Sequence, residues 1–222
     1  MKTRFRDRTE AGRLLAKILK PTYANQPNVI VLALPRGGVP IGYEIAKALN
    51  VPLDLCLVRK LGVPGHEELA MGAIATGGIM LLNENLVRSL RISPQAIQEV
   101  VIKEQKELKR RDQLYRGDRP APDLTGRTVI IVDDGIATGS TLKAAIAAIK
   151  QQKPEKIIVA VPVAPPDVCQ ELKNEVDEVV CLLTPEWLYS ISLWYDDFSP
   201  TTDEEVRRLL AETMEEKTAK SS

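Results

Sequence analysis

Short apolar runs alternate with longer amphipathic segments along most of the chain. The runs are nearly continuous in valine, isoleucine and leucine, which is typical of strands buried on both faces. They predict strands at 29–34, 53–58, 129–132, 156–163 and 177–183. Apolar residues at helical spacing predict helices between them, as at 7–20, 41–49, 142–149 and 167–175. Strands that alternate with helices predict an α/β fold: a parallel sheet with helices on both faces.

Proline, glycine and hydroxyl residues mark where elements begin and end. Pro21 is expected to stop the first helix, and Ser93 before Pro94 is a typical start for a long helix. Thr202 and Glu205 form a capping box that opens the final helix, after which the last few residues are expected to be disordered. Residues 70–75 and 79–82 predict a small hairpin.

The most informative stretch follows the strand at 129–132. Two acids, Asp133 and Asp134, come directly after it, and a small, hydroxyl-rich loop then leads into a helix. Backbone N–H groups at a helix N-terminus favour a phosphate, and the loop hydroxyls add donors. The acids suit ribose hydroxyls or the shell of a magnesium ion instead. An ordinary strand–helix turn with two exposed acids is the alternative.

This stretch resembles the fingerprint of the type I phosphoribosyltransferases. The resemblance implies that it binds the ribose 5-phosphate of phosphoribosyl pyrophosphate. The substrate-binding residues would then be Asp133, Asp134, Gly135, Ile136, Ala137, Thr138, Gly139, Ser140 and Thr141. The two acids would also hold Mg²⁺, directly or through water. Many members carry an aliphatic residue where this chain has Gly135, so a looser loop is expected.

A second strand–turn–helix contains Pro35, Arg36, Gly37 and Gly38. Glycines let backbone N–H groups approach an anion, and arginine supplies a permanent charge. The turn is similar to the pyrophosphate loop of the same family, which often holds a cis peptide before the basic residue. The resemblance therefore predicts a cis bond between Pro35 and Arg36. The alternative is a plain turn that needs glycine for its shape.

A third segment begins with Arg59 and Lys60 and resembles adenine phosphoribosyltransferases. The resemblance implies that these cations offset the charge of the leaving pyrophosphate, and that residues 61–78 form a mobile, glycine-rich lid that excludes water. His66 is a further catalytic candidate, with a solvated loop histidine as the alternative. Because all three motifs follow predicted strands, they are expected to converge on one edge of the sheet.

The charge balance, the cysteines and the lengths of the apolar runs argue against several classes of protein. Lysine plus arginine equals aspartate plus glutamate at 30 each, which argues against a broad nucleic-acid surface. The three cysteines lack metal-ligand spacing, and their odd number favours reduced thiols in the cytoplasm. The N-terminus has no apolar signal core, and no run is long enough to span a membrane.

Aromatic residues cluster at 184–200. In the family the C-terminal region often forms a hood over the acceptor base, so Trp194 or Tyr195 would stack on that base. Equally, these rings would simply pack the hood's own core. Oxopurine enzymes usually carry an aspartate at the position of Ala137, and adenine-type enzymes often carry alanine there. The match therefore favours the adenine type.

The resemblance predicts a Mg²⁺-dependent phosphoribosyltransferase that joins phosphoribosyl pyrophosphate to a small nitrogenous base, as in nucleotide salvage. It implies one domain over 1–222, with a core at about 28–183 and a hood at 184–222. A homo-oligomer is expected. Two alternatives remain: a non-catalytic protein of this fold that senses a nucleotide or phosphoribosyl pyrophosphate, and an RNA-binding regulator, which zero net charge disfavours.

Overall fold

The structure is a computed structural model that describes residues 4–220, with side chains described up to residue 213. The chain divides into two compact units that interleave in sequence. The first comprises Met1–Leu55, Leu124–Gly139 and Pro154–Ser222, and the second Cys56–Asp123 and Ser140–Lys153. The expectation of a single domain remains a prediction. The expected disorder falls partly on residues 221–222, outside the described residues.

The first unit contains a five-stranded sheet. Its strands are β1 (Val29–Ala33), β2 (Leu53–Leu55), β6 (Thr128–Val132), β7 (Lys156–Val163) and β8 (Glu178–Leu183). Their order in the sheet is β2-β1-β6-β7-β8, and every neighbouring pair is parallel. Every residue of β1 and β6 is buried. This burial accounts for their unbroken apolar sequences, and the predicted parallel sheet is confirmed.

The helices of the first unit are α1 (Arg8–Tyr23), α2 (Gly38–Leu49), α6 (Pro166–Lys173) and α7 (Asp203–Lys220), with a 3₁₀ turn at Ile191–Trp194. The prediction that Pro21 stops α1 is wrong, because the helix continues to Tyr23. Tyr23 is buried, and its hydroxyl donates a hydrogen bond to Glu178. Pro21 removes one helical hydrogen bond, and the burial and hydrogen bond of Tyr23 offset that loss.

Of the two hydrogen bonds of the predicted capping box of α7, the one to the Thr202 hydroxyl is observed. Thr202 Oγ1 accepts a hydrogen bond of 3.1 Å from the backbone N–H of Glu205. Among the described residues, no helix is both long and apolar enough to cross a membrane.

The second unit contains an antiparallel sheet in the order β3-β4-β5. Its elements are β3 (Val58–Val63), β4 (His66–Ala75), β5 (Ile79–Leu82), α3 (Glu84–Ser89), α4 (Pro94–Arg116) and α5 (Ser140–Gln151). The predicted hairpin at 70–75 and 79–82 is confirmed as β4–β5. Ser93 caps α4 as predicted, because its Oγ accepts a hydrogen bond of 3.2 Å from Ala96.

One prediction in this region is wrong. The apolar run 53–58 is not one strand, because β2 ends at Leu55 and β3 starts at Val58 in the other sheet. Most of residues 61–78, predicted as a mobile lid, lie in the β3–β4 hairpin, and their mobility stays a prediction. A Cβ on Gly72 would lie 2.2 Å from the Leu81 carbonyl oxygen, and one on Gly62 would lie 2.7 Å from that of Glu67. These glycines allow close approach of strands, not loop freedom.

Candidate functional site

Two of the predicted motifs lie side by side in the first unit. β1 and β6 are adjacent and parallel, with Ala33 paired to Val132 at their carboxyl ends. The Leu34 N–H donates to the Val132 carbonyl oxygen at 2.9 Å. The turn that contains Arg36 therefore leaves the sheet beside the acids that follow β6. Ligands of open parallel sheets bind at this edge.

The turn after β1 is in contact with the acid pair. A Cβ on Gly38 would lie 2.7 Å from the Val132 carbonyl oxygen and 3.0 Å from Asp133 Cα, and one on Gly37 would lie 1.9 Å from Asp134 Oδ2. Both glycines are therefore needed for close packing between the two loops. The predicted cis bond between Pro35 and Arg36 is confirmed.

The Asp134 carboxylate is held by a residue that the sequence analysis did not identify. Arg8 Nη2 and Nε both donate to Asp134 Oδ2, at 2.8 and 3.0 Å. Arg8 Nη1 donates to the Ser199 carbonyl oxygen at 2.8 Å, and the guanidinium carbon lies 3.9 Å from the centre of the Phe198 ring. Arg8 therefore joins the first helix, the acid pair and the segment before α7.

Tyr195 also contacts Asp134, through the main chain. Its hydroxyl donates to the Asp134 carbonyl oxygen at 2.6 Å. The ring is buried, and its centre lies 5.4 Å from that of Phe5 and 5.0 Å from that of Phe198. Tyr195 therefore packs in a buried aromatic cluster that includes Phe5, which lies outside the predicted hood. Desolvation of this hydroxyl and the nearby Asp134 charge raise the pKa of Tyr195.

Tyr195→Phe should lower the free energy of unfolding by about 1 kcal/mol, because the partly buried Asp134 carbonyl loses its donor. Urea denaturation measures the change. Tyr189→Phe is the matched control, since that side chain is 86% exposed and its removal should have no measurable effect. An equal loss in both variants would contradict the assignment.

Asp133 is partly buried and lies beside a second carboxylate. Its Oδ1 accepts a hydrogen bond of 2.8 Å from the Asp134 N–H. Desolvation, reinforced by the charge of Asp134, raises the pKa of Asp133 well above its ordinary value. A partly buried carboxyl that lies beside a second acid is costly to ionise, which is typical of functional sites.

Asp133→Asn should raise the free energy of unfolding near pH 8 by about 1 kcal/mol, because the variant removes a desolvated charge. A pKa that is higher in the folded state than in the unfolded state destabilises the ionised protein. The penalty disappears as pH falls through the raised pKa, so the gain should shrink in acid. Thermal unfolding at several pH values checks this, and a pH-independent gain would contradict the assigned cause.

The rest of the predicted phosphate loop is divided in sequence between the two units, after Gly139. In the first unit Ile136 and Gly139 are buried, whereas Ala137 and Thr138 are exposed. A Cβ on Gly135 would lie 2.6 Å from Ile191 Cγ2, so close packing explains this glycine better than a looser loop does. In the second unit α5 begins at Ser140, and Thr141 lies in its first turn.

The other predicted residues are placed as follows. Arg36 Nη1 lies 3.6 Å from Asp203 Oδ1, and Trp194 is partly exposed, with its carbonyl oxygen accepting from Phe5 N–H at 2.8 Å. In the second unit Arg59 Nε donates to Glu104 at 2.7 Å.

Lys60 Nζ donates to the Glu68 carbonyl oxygen at 3.0 Å, and His66 is exposed at the start of β4. Arg59 and Lys60 lie inside β3, in the antiparallel sheet. The expectation that all three motifs follow strands of one sheet is therefore wrong. The chain leaves the parallel sheet at residues 56–57, and an apolar run in the sequence does not reveal this change.

The acid pair is compatible with a magnesium ion of the kind that substrate helps to hold. Within residues 4–213, no group of three or more histidine, cysteine, aspartate or glutamate side chains is arranged to hold a metal. Mg²⁺ commonly uses one or two carboxylates and takes its other ligands from water and substrate phosphates. Asp133 and Asp134 supply that number, although Oδ2 of Asp134 already accepts from Arg8.

Comparison with known proteins assigns the family. The family model described as "Phosphoribosyl transferase domain" matches residues 8–195. The chain belongs to this family. The match begins at Arg8 and ends at Tyr195, and it includes the Gly37–Gly38 turn and the acid pair. The five-stranded parallel sheet is accordingly that of a type I phosphoribosyltransferase fold.

Two relatives cover most of the chain. A Mycobacterium tuberculosis protein named "Putative phosphoribosyl transferase" is 45% identical over 202 residues, covering 91% of this chain and 45% of that protein. The crystal structure of a Thermus thermophilus protein, TT1426, is 40% identical with a TM-score of 0.84, covering 94% of this chain and 98% of that one. The chain thus spans about half the length of the curated relatives it matches.

Proposed function

We propose that this phosphoribosyltransferase-family chain transfers 5-phosphoribosyl from phosphoribosyl pyrophosphate to a nitrogenous base and releases pyrophosphate. The observation that supports this is the contact between the two loops predicted to bind the ligand, the turn after β1 and the loop after β6. The Gly37–Gly38 turn and the acid pair pack against each other at the carboxyl edge of the sheet. A phosphorylated sugar that carries a pyrophosphate needs both kinds of loop at one place.

In the proposed reaction a ring nitrogen of the base attacks C1 of the ribose. The bond from C1 to the pyrophosphate oxygen breaks, pyrophosphate leaves with the bonding electrons, and the base nitrogen loses its proton. The transition state has oxocarbenium character. No covalent nucleophile is required, so the protein's contribution is positioning and charge stabilisation.

Each loop has a defined part in this proposal. The loop hydroxyls and backbone N–H groups of Thr138, Gly139, Ser140 and Thr141 bind the 5-phosphate, and Asp133 accepts hydrogen bonds from ribose hydroxyls. Arg36 and the N–H groups of Gly37 and Gly38 bind pyrophosphate. When bound at the acid pair, Mg²⁺ would neutralise pyrophosphate charge.

Further assignments extend the proposal to the remaining residues. Arg59 and Lys60 offset the charge of the leaving group, His66 takes part in proton transfer, and Trp194 stacks on the base. Ala137, which carries no hydrogen-bonding side chain, favours an adenine-type acceptor over an oxopurine. A cytoplasmic homo-oligomer is part of the same proposal.

Pyrophosphate release is the direct test. The purified protein is incubated with phosphoribosyl pyrophosphate, Mg²⁺ and one base at a time from a panel of purines and pyrimidines. Release that requires one base, with formation of its nucleotide, is the expected result, and Asp133→Asn should abolish most of it. Absence of base-dependent release with every member of the panel would contradict transferase activity.

A non-catalytic binding protein of this fold is the second candidate. The observation that favours it is that Arg59 and Lys60, the proposed catalytic cations, both make polar contacts within their own unit, to Glu104 and Glu68. Such a protein would be stabilised by phosphoribosyl pyrophosphate or a nucleotide without turning it over. A thermal shift combined with no release in the assay above would identify it.

A further inference from the structure

The negative charge of Asp134 lies close to the proposed binding site of pyrophosphate. The Asp134 carboxylate lies over Gly37: a Cβ there would be 1.9 Å from Oδ2 and 3.2 Å from Oδ1. This is the turn to which pyrophosphate would bind. An uncompensated carboxylate in that place would repel a polyanion, and the repulsion would be strong because the side chain is only 15% exposed.

Arg8 compensates the charge of Asp134. Its guanidinium makes two hydrogen bonds to Oδ2 of Asp134, and only 11% of the Arg8 side chain is exposed. The charge is fixed in place from two other sides, by the Ser199 carbonyl oxygen and by the Phe198 ring. The Tyr195 hydroxyl donates to the main-chain oxygen of Asp134 and so does not compete with Arg8 for the carboxylate.

Asp133 does not share this arrangement. Its hydrogen bond comes from the Asp134 backbone N–H, which is uncharged. The two acids of the pair are adjacent in sequence but differ in chemistry: one is paired with a guanidinium, and the other is not hydrogen-bonded to any basic side chain among the contacts of the described residues. The pair is therefore suited to two different tasks.

We propose that Arg8 is a positioning residue that neutralises Asp134 and holds it against the segment 195–199, so that the sugar pyrophosphate meets Asp133 as the one accepting carboxylate. This inference rests on the proposed function and deepens it. Arg8 itself does not touch the ligand. It acts on binding through the charge and position of Asp134.

A double-mutant cycle tests this with phosphoribosyl pyrophosphate and, separately, inorganic pyrophosphate as titrants in calorimetry. Arg8→Gln should weaken the binding of both by about tenfold, because it leaves the Asp134 charge unpaired. Adding Asp134→Asn should restore most of the loss, since no charge then remains to be neutralised. A purely structural role for Arg8 predicts the reverse, because the double variant loses still more contacts.

Ionic strength provides a second readout. The loss caused by Arg8→Gln should shrink at high salt, since repulsion between charges is screened, whereas loss from misfolding would not. Arg13→Gln is the matched control, because Arg13 lies on the same helix and also pairs with a carboxylate, Glu44, at 2.9 Å. It should leave both affinities within about twofold of the parent.

The outcomes separate the two proposals. If the parent binds phosphoribosyl pyrophosphate and the double variant binds it no better than Arg8→Gln, the inference about Arg8 is wrong and the proposed function stands. If the parent binds neither titrant, the proposed function is wrong and the inference falls with it. If Arg8→Gln proves unfolded by circular dichroism, Arg8→Lys replaces it. The lysine variant keeps the charge and should lose less than about threefold in affinity, so a tenfold loss would overturn the inference.

Discussion

Gly38→Ala should lower the free energy of unfolding by about 2–3 kcal/mol, the upper part of the range for overpacking a closely packed site. The new Cβ would lie 2.7 Å from the Val132 carbonyl oxygen and 3.0 Å from Asp133 Cα. Both are main-chain atoms at the end of a buried central strand, so neither can move without disturbing the sheet. Urea denaturation measures the loss.

Gly135→Ala is the informative comparison. Its Cβ would also collide, at 2.6 Å from Cγ2 and 3.0 Å from Cγ1 of Ile191, but these are side-chain atoms that can rotate away. We expect a loss of about 1 kcal/mol. In an Ile191→Ala background the same substitution should cost less, because both Ile191 contacts are gone and only the contact with Val163 Cγ1, at 3.0 Å, remains. Equal losses for Gly38→Ala and Gly135→Ala, or no relief from Ile191→Ala, would contradict these contacts.

The parts of the fold that were predicted correctly depend on local chemistry. The run 129–132 is apolar throughout because every residue of β6 is buried, and the acids that follow it mark the carboxyl edge. Ser93 and Thr202 were assigned as helix starts because a capping hydroxyl acts within three residues. Such features can be read from sequence since cause and effect are neighbours in the chain.

The features that were missed depend on distant contacts or on burial. Arg8 and Asp134 are 126 positions apart, and nothing about an arginine near an N-terminus indicates its partner. The first helix continues past Pro21 to Tyr23, whose buried side chain is hydrogen-bonded to Glu178, 155 positions away. Gly62 and Gly72 suggested a loop because sequence shows that glycine is permissive but not whether close strands require it.

The same limit explains the antiparallel sheet. Residues 53–58 form one apolar run, yet the sheet changes between Leu55 and Val58. Apolar character indicates burial and does not reveal against which partner the residue is buried. Arg59 and Lys60 directly follow this run in the sequence, yet they lie within β3. The acid pair and the glycine turn, by contrast, follow strands of the central sheet and are in contact.

Asp133→Asn should weaken the binding of phosphoribosyl pyrophosphate by about ten- to a hundredfold. A ribose hydroxyl that donates to a carboxylate makes a charge-assisted hydrogen bond of about 1.5–3 kcal/mol, and each 1.4 kcal/mol corresponds to a factor of ten. Asparagine keeps the shape and the acceptor oxygen for the Asp134 N–H but loses the charge. Isothermal titration calorimetry near pH 8 measures the change, with the exposed acid Asp196 changed to asparagine as the control.

Two further measurements make this result specific to the ribose. Inorganic pyrophosphate has no ribose hydroxyls, so Asp133→Asn should leave its affinity unchanged or slightly higher, because a negative charge has been removed. The raised pKa of Asp133 adds a pH signature. In the parent, affinity for phosphoribosyl pyrophosphate should fall as pH drops through that raised pKa and the carboxylate takes up its proton, whereas the variant should lack this component. A variant that binds phosphoribosyl pyrophosphate as tightly as the parent at pH 8, or that loses affinity for both ligands equally, would remove Asp133 from the ribose site.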